Sequence, residues 1–588
     1  STQCYSNLQC SLLHIWYGRC INCGTIDQIS SIHELAGGVA HFRQITPFAN
    51  PVSQSQTCKR HKVVPRLRHC ADKVFVWPAM QASKLSKPCQ QYRMQYRAFA
   101  RPLWRTYHRS APLQAEHSRP PNAPKPSIDI KHIRQNPQLY EQNCIERNYK
   151  VQSTYPTQII SLFEQWQAHQ RKGRQLRERS NLLRRILANP SALHKEDPEH
   201  IAALKDATRE DILGKAKLLK DQLSEIESAE DSLNRQIEGL AYDIPNLTSD
   251  ETPRGDTATV VGYLNDHPEP DPSVSDRVWR SHVHVGAELH LLDFANAATS
   301  SGWGWYYLLN EAALLEQALI QYALDTALKR GWQIVSPPSI VYSHIAGACG
   351  FQPRDQHGEQ QIYTLAQSAQ VASRGKPELS LTATSEIPLA AMRANTTMTE
   401  DELPMKCVAV SRCYRAEAGA RGADTKGLYR VHEFSKVEMF GWTQPSYPAA
   451  AEVFDEMVSI QSDILESLGL HCRILEMPST DLGASAVRKR DIEAFFPSRR
   501  PKDDGWGEVT SASICSDYQS RRLATRVSLG GKLHFPYTVN GTAMAVPRVL
   551  AAILENNWNE EKMTVTIPEV LRPWMGGMET IAPKHRLR

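Results

Sequence analysis

The sequence contains no run of eighteen apolar residues. A helix that crosses a bilayer needs about that many, so no membrane span is expected. Acids are almost missing from the first part of the chain. Residues 1–115 hold only Asp27, Glu34 and Asp72, and none occurs from Lys73 to Ala115. From Ser1 to about Met94 there is also no sustained helical or strand period, so this stretch does not read as a folded domain. Metal-ligand spacing is missing from the cysteines. Seven of the thirteen lie before residue 90, among them the lone pair Cys20 and Cys23, and no second pair follows at zinc-site spacing. The other six (Cys144, Cys349, Cys407, Cys413, Cys472 and Cys515) are scattered, which fits reduced thiols in a reducing compartment.

The 588 residues suggest three or four domains. A net charge of +5 permits nucleic-acid binding without arguing for it. Within the acid-free stretch, Met94 to Leu113 carries Arg97, Arg101, Arg105 and Arg109 four apart, on one side of a helix that Pro102 would weaken. An Arg-rich amphipathic segment without acids fits a mitochondrial transit peptide over residues 94–126, closing in a linker with Pro120, Pro121, Pro124 and Pro126; a basic disordered tail is the other reading. Residues 1–93 are then expected to be a poorly structured extension or the product of an over-extended gene model.

From 127 to 245 the pattern is helical. Ser127 is expected to cap a short helix that Pro137 breaks or kinks. A long helix follows from about Thr157 to Ala188, with a seam at Leu162, Trp166, His169, Gly173, Leu176, Ser180, Leu183 and Leu187. Its partner keeps four-three spacing through Ile212, Ala216, Leu219, Leu223, Ile226, Glu230, Leu233, Ile237 and Leu240, which is a coiled-coil seam. An antiparallel hairpin arm is expected. The first helix is strongly basic at Arg171, Lys172, Arg174, Arg177, Arg179, Arg184 and Arg185. Such a surface suits phosphate contacts; a face neutralised by acids of the partner helix is the alternative.

After a linker over 246–281, residues 282–588 alternate helix and strand. Tyr306 to Arg330 reads as a helix, and Gly331 to Val335 as a strand ending at Pro337. Met405 to Arg415 and Tyr429 to Phe440 read as two antiparallel strands joined by a polar, Gly-rich loop. Arg415 would grip an α-phosphate and offset charge developing as a carboxylate attacks it. Glu417 follows on the same side and would accept from the adenine amino group. An Arg/Glu surface pair is the plain alternative. Further on, Thr538 to Asn540 reads as a strand end, Gly541 as a tight turn, and Ala543 to Glu555 as a helix with Pro547 tolerated in its first turn. Arg548 would reach a terminal phosphate.

The string from Cys413 to Glu438, CYRAEAGARGADTKGLYRVHEFSKVE, resembles the second signature of the class II aminoacyl-tRNA synthetases almost residue by residue. Tyr306 to Pro338 resembles their first signature, and Phe535 to Glu555 their third, with Pro547 where glycine is more usual. Thr382-Ala383-Thr384-Ser385-Glu386, Glu438, Thr542, Gly507 to Ser511, Tyr242 to Gly255 and the run PEVLRPWMGG at 568–577 resemble the seryl-tRNA synthetases in particular.

The resemblance covers about 128–577. It implies an α+β chain, in which an N-terminal antiparallel coiled-coil arm precedes a class II antiparallel-sheet catalytic domain flanked by helices. It also implies serine–tRNA ligase activity that is dependent on ATP, with L-serine and tRNA(Ser) as partners in a homodimer. No zinc-ligand set appears near these motifs, so the Mg²⁺-dependent form without zinc is expected, and the transit-peptide reading places the protein in the mitochondrial matrix, with the cytoplasm as the alternative. Under the resemblance Arg415 and Arg548 are catalytic. Glu417, Val431, Glu508, Val509, Thr510 and Ser511 join them in binding ATP, Glu508 and Ser511 also holding Mg²⁺. Thr384, Glu386, Arg415, Glu438, Asn540 and Thr542 bind serine. Arg171, Lys172, Arg174, Arg177, Arg184 and Arg185 contact tRNA. A different class II synthetase, such as a threonyl or prolyl enzyme, and a non-catalytic synthetase-derived tRNA-binding protein are the two rival readings.

Overall fold

The computed structural model describes residues 120, 122–189, 208–266, 280–351, 361–372, 374–417, 427–501 and 503–583. The expected extension over 1–93, the Cys20/Cys23 pair and the arginine-rich segment from Met94 to Leu113 lie outside the described residues.

Helix α1 (Ile130–Gln135) starts after Asp129, whose side chain accepts a hydrogen bond from the His132 amide. The cap is therefore Asp129 and not Ser127, whose own amide donates to the Arg521 carbonyl. Pro137 does not kink a continuing helix. It opens α2 (Pro137–Glu146), where its missing N–H costs no helical bond.

The two long helices are α3 (Tyr155–Ala188) and α4 (Arg209–Asp243). A capping box between Thr208 and Asp211 starts α4. The helices are antiparallel, because Ile159 packs with Ile237 and Ala241 at one end while Leu182, Leu183 and Ile186 pack with Ile212 and Leu219 at the other. With 34 residues in α3, the arm is about 50 Å long.

The seam of α4 buries Ile212, Leu219, Ile226, Glu230, Leu233 and Ile237. On α3, Gly173, Ser180 and Leu183 are buried, but Leu182 and Ile186 are buried too and Leu187 only partly. A straight helix drifts by ~20° per heptad against an ideal 3.5-residue repeat, so the contact line moves onto these neighbouring residues. Gly173 faces Glu230: a Cβ there would stand 3.2 Å from Glu230 Oε1.

The core sheet has eight strands. In chain order they are β1 (Thr259–Leu264), β2 (Gln333–Val335), β3 (Met405–Tyr414), β4 (Glu433–Thr443), β5 (Cys472–Glu476), β6 (Arg488–Phe495), β7 (Trp506–Ser516) and β8 (Tyr537–Ala545). Their spatial order is β1-β5-β6-β7-β8-β4-β3-β2. Neighbours pair antiparallel except β2 with β3, which run parallel. The second strand of the hairpin thus begins at Glu433, not Tyr429.

Three helices, α5 (Asn310–Lys329), α6 (Tyr447–Ser467) and α7 (Val546–Asn556), share one hydrophobic cluster with Val437, Met439, Ile514 and Val539 of the sheet. Side chains alternate across a strand, so Phe440 and Trp442 of β4 face the other way, into a second cluster with Ile387 and Leu389. Gly541 sits in mid-strand rather than at a turn, because β8 runs on to Ala545. A Cβ at Gly541 would crowd Met457, Gln461 and Ala512 at 3.2–3.3 Å, so its lack of a side chain serves the packing of α6.

The base of the arm is tied to the body by a buried polar joint. Arg147 is 1% exposed and donates to the carbonyls of Asn246 and Gly483. Asn246 Nδ2 in turn donates to the Ser485 and Cys515 carbonyls and to Ser516 Oγ. Cys515 and Ser516 end β7, so the joint closes on a strand of the core sheet.

Candidate active site

The period of two that buries Val437 and Met439 under the helices turns Phe434, Lys436 and Glu438 to the opposite face, where they line a cavity. Strand β8 lies beside β4 with Thr542 opposite Glu438, and adds Asn540 and Thr542 to the same wall. Strand β7 contributes Glu508, Val509, Thr510 and Ser511. Arg548 enters from the first turn of α7, immediately after Pro547. Thr384 and Glu386 come from the start of a short helix, Glu386–Ala391, and Arg415 and Glu417 follow the end of β3. Val431 completes the set. The structure therefore brings Arg415, Arg548, Glu417, Val431, Glu508, Val509, Thr510, Ser511, Thr384, Glu386, Glu438, Asn540 and Thr542 to one cavity.

Among the described residues, four acids and four bases line it. Arg430 Nε donates to Glu417 Oε2 at 2.6 Å. Arg548 donates to Glu508 Oε2 at 3.0 Å and to the Glu508 carbonyl. Lys436 Nζ stands 2.5 Å from Glu438 Oε2 and 2.6 Å from Thr384 Oγ1. Thr542 Oγ1 donates to the same Glu438 oxygen at 3.1 Å. One acid and one base remain without an ion pair among the described residues, Glu386 and Arg415. Glu386 accepts only from neutral amides, Gln519 Nε2 at 2.6 Å and Asn540 Nδ2 at 3.2 Å. The Arg415 guanidinium stands 5.2 Å from the centre of the Phe434 ring.

Burial, with the charge of Glu438 adding to it, pushes the Glu386 carboxyl up to about 8, against the opposing influence of Lys436, Gln519 and Arg415. Glu508 goes the other way. Burial opposes its ionisation, but the Arg548 and Lys489 charges outweigh burial and bring it down to about 2. Asp491, 2.8 Å from Lys489 Nζ, is pushed up to about 7 by burial, with Lys489 opposing.

Glu417, beyond β3 with φ of 47°, lines the same cavity as Arg415 and pairs with Arg430. One expectation needs correction here. Arg177, expected to face tRNA, is turned to the partner helix, 3.3 Å from Glu230 and 3.7 Å from Glu227. Its position beside a buried seam carboxylate explains this. Arg171, Lys172, Arg174, Arg184 and Arg185 lie exposed along α3, away from the cavity.

Sequence reasoning missed Lys436, Arg430, Tyr429 and Phe434, which also line the cavity. Lys436 was findable, because it sits two residues before Glu438 on one strand and so shares its face. Tyr429 left no such signal. Its contacts with Arg548, 4.7 Å to the ring centre, and Arg499, 4.0 Å, join residues distant in sequence.

Comparison with known proteins assigns the chain. Residues 128–248 match the seryl-tRNA synthetase N-terminal domain, and residues 365–557 match the tRNA synthetase class II core domain (G, H, P, S and T). The mitochondrial serine–tRNA ligase of Saccharomyces cerevisiae is 43% identical over 369 residues, 62% of this chain and 78% of that protein. The mitochondrial serine–tRNA ligase of Schizosaccharomyces pombe is 38% identical over 76% of this chain and 88% of its own length. Among solved structures, seryl-tRNA synthetase from Pyrococcus horikoshii complexed with ATP superposes with a TM-score of 0.67 at 29% identity, covering 78% of this chain and all of that one. With both halves of the architecture matched and relatives aligned over most of their own length, this chain belongs to the seryl-tRNA synthetase family.

Proposed function

We propose that the protein is a serine–tRNA ligase that activates L-serine with ATP and transfers it to tRNA(Ser). One observation carries the amino-acid half of this reading. Among the described residues, three acid–base pairs in the cavity are closed, and what remains is one carboxylate, Glu386, and one guanidinium, Arg415. An α-amino acid zwitterion offers the complementary pair. Its ammonium meets Glu386, and its carboxylate is held toward Arg415. Its hydroxyl meets Glu438 and Thr542, which would lose a partner if alanine entered.

The serine carboxylate then attacks the α-phosphorus, forming the acyl–phosphate bond and releasing pyrophosphate. The terminal ribose hydroxyl of the tRNA displaces AMP. Arg415 offsets charge on the α-phosphate, and Arg548 exchanges Glu508 for the terminal phosphates of ATP. Glu417 and Val431 receive adenine beside Val509 and Thr510. Glu508 and Ser511 are oxygen donors, and the low pKa of Glu508 suits a hard cation. Mg²⁺ takes one or two protein oxygens together with phosphates and water, so these two residues fit it. When bound, it would neutralise phosphate charge.

The arm spans 127–245 in this reading, and the catalytic body is 282–588 together with β1 (Thr259–Leu264), an edge strand of the core sheet that lies within the 246–281 segment expected to be a linker. The exposed basic residues Arg171, Lys172, Arg174, Arg184 and Arg185 would meet tRNA phosphates. The exposed Leu314 of α5 and Ile334 of β2 suit an interface with a second copy in a homodimer. No helix among the described residues is long and apolar enough to cross a membrane. The mitochondrial matrix is the proposed location, supported by the arginine-rich, acid-free segment and by the names of the yeast relatives.

Pyrophosphate exchange with serine, threonine and proline tests the assignment. Serine is expected to support exchange far above the other two. Preference for either rival would reject the reading.

A further inference from the structure

Lys436 is a buried lysine, 5% exposed, that belongs to no part of the mechanism above. Its ammonium bridges Thr384 Oγ1 and Glu438 Oε2. Both are residues of the proposed serine subsite. Glu386 is equally buried, at 5% exposure, and lines the same cavity with no cation among the described residues bonded to it. The described groups facing it come from several walls. Lys436 and Glu438 lie on β4, Arg415 follows β3, and the neutral amides of Gln519 and Asn540 come from the 518–523 helix and β8. Cys349 and Cys515 stand close enough to interact with it, and burial raises both thiols well above their usual range. A buried carboxylate with only amide donors is poorly compensated when charged.

Resting on the serine reading, we propose that Lys436 is the positioning residue that divides labour between the two acids. It supplies the countercharge of Glu438, so that Glu438 is reserved for the substrate hydroxyl, while Glu386 takes the substrate ammonium in exchange for a proton. The balance is simple. The neutral Glu386 carboxyl gives its proton to bulk water, and the carboxylate that remains pairs with the incoming ammonium. No covalent bond changes. The carboxyl range near 8 agrees with a proton being present at neutral pH before serine arrives. Without Lys436, the ammonium would have two equivalent carboxylates to choose between, and the hydroxyl would lose its fixed acceptor.

The test uses the full chain and serine itself. Titration calorimetry in buffers of different ionisation enthalpy is expected to show close to one proton released per serine at pH 7, falling toward zero as the pH is raised above about 8. Lys436→Met is expected to raise KM for serine and lower the preference for serine over alanine by roughly tenfold or more. KM for ATP should stay unchanged, and Lys436→Arg should restore part of the loss. Serine-dependent exchange by the wild type together with no proton release would overturn this inference while leaving the ligase reading intact. An equal loss for ATP and serine, with no rescue by arginine, would make Lys436 merely structural. Should Lys436→Met fail to fold, the wild-type proton count still decides.

Discussion

The arm and the catalytic body both bury acids, and they close the charge differently. In the arm, Glu230 is 6% exposed on the α4 seam and is met from α3 by Gln170 at 2.6 Å and Arg177 at 3.3 Å, in space opened by Gly173. The charge is answered from within the chain. In the cavity, three such pairs are closed in the same way, but Glu386 and Arg415 are left over. A polar group that the fold satisfies internally belongs to the scaffold. A complementary pair that the fold leaves open, inside a cavity, is a binding site waiting for a dipolar ligand.

This contrast can be broken at either region. Arg415→Ala removes the open guanidinium and is expected to lower serine activation by ~10²–10³-fold, with an unchanged thermal unfolding curve. Near-normal exchange by the folded variant would show that the leftover pair is incidental. A shorter arm, with residues 174–229 replaced by a tight turn, keeps the basal packing of Ile159, Ile237 and Ala241. Activation should stay within about twofold and tRNA charging fall by roughly tenfold or more, as the phosphate contacts are lost. Unchanged charging would remove the arm from tRNA recognition.

The smallest effect is expected from Glu230→Leu. Its Oε1 has no hydrogen-bond partner among the described residues, and the Arg177 left behind is partly exposed and keeps Glu227 at 3.7 Å, so stability is expected to change by no more than ~1 kcal/mol. A large loss of stability would mean that this closed pair carries more of the arm than its geometry suggests.

The two regions also differ in how far their sequences disclose them. Helical periodicity alone exposed the arm, because each heptad repeats the same local rule. It placed Ile212, Leu219 and Ile226 on the seam but misjudged α3 near Leu182 and Ile186, where accumulated helical drift decides which residue faces inward. The site was legible where motif and strand period coincide, as at Glu438. It was not legible where partners meet across the fold. Nothing near Gln519 in sequence points to Glu386, 133 residues away, and nothing near Glu417 favoured Arg430 over Arg415 as its partner. Gly541 was misread for the same reason. Glycine signals a turn locally, whereas here it makes room for Met457 and Gln461 of a packed helix.

The joint at Arg147 and Asn246 has a consequence for reach. An arm about 50 Å long is a lever. Five degrees of play at its root would sweep the tip through about 4 Å, more than the length of a hydrogen bond. A rigid tip therefore demands a stiff root. The buried guanidinium that ties α2 to the Asn246 and Gly483 carbonyls, with Asn246 tied onward to the end of β7, sets the angular tolerance of everything held beyond it.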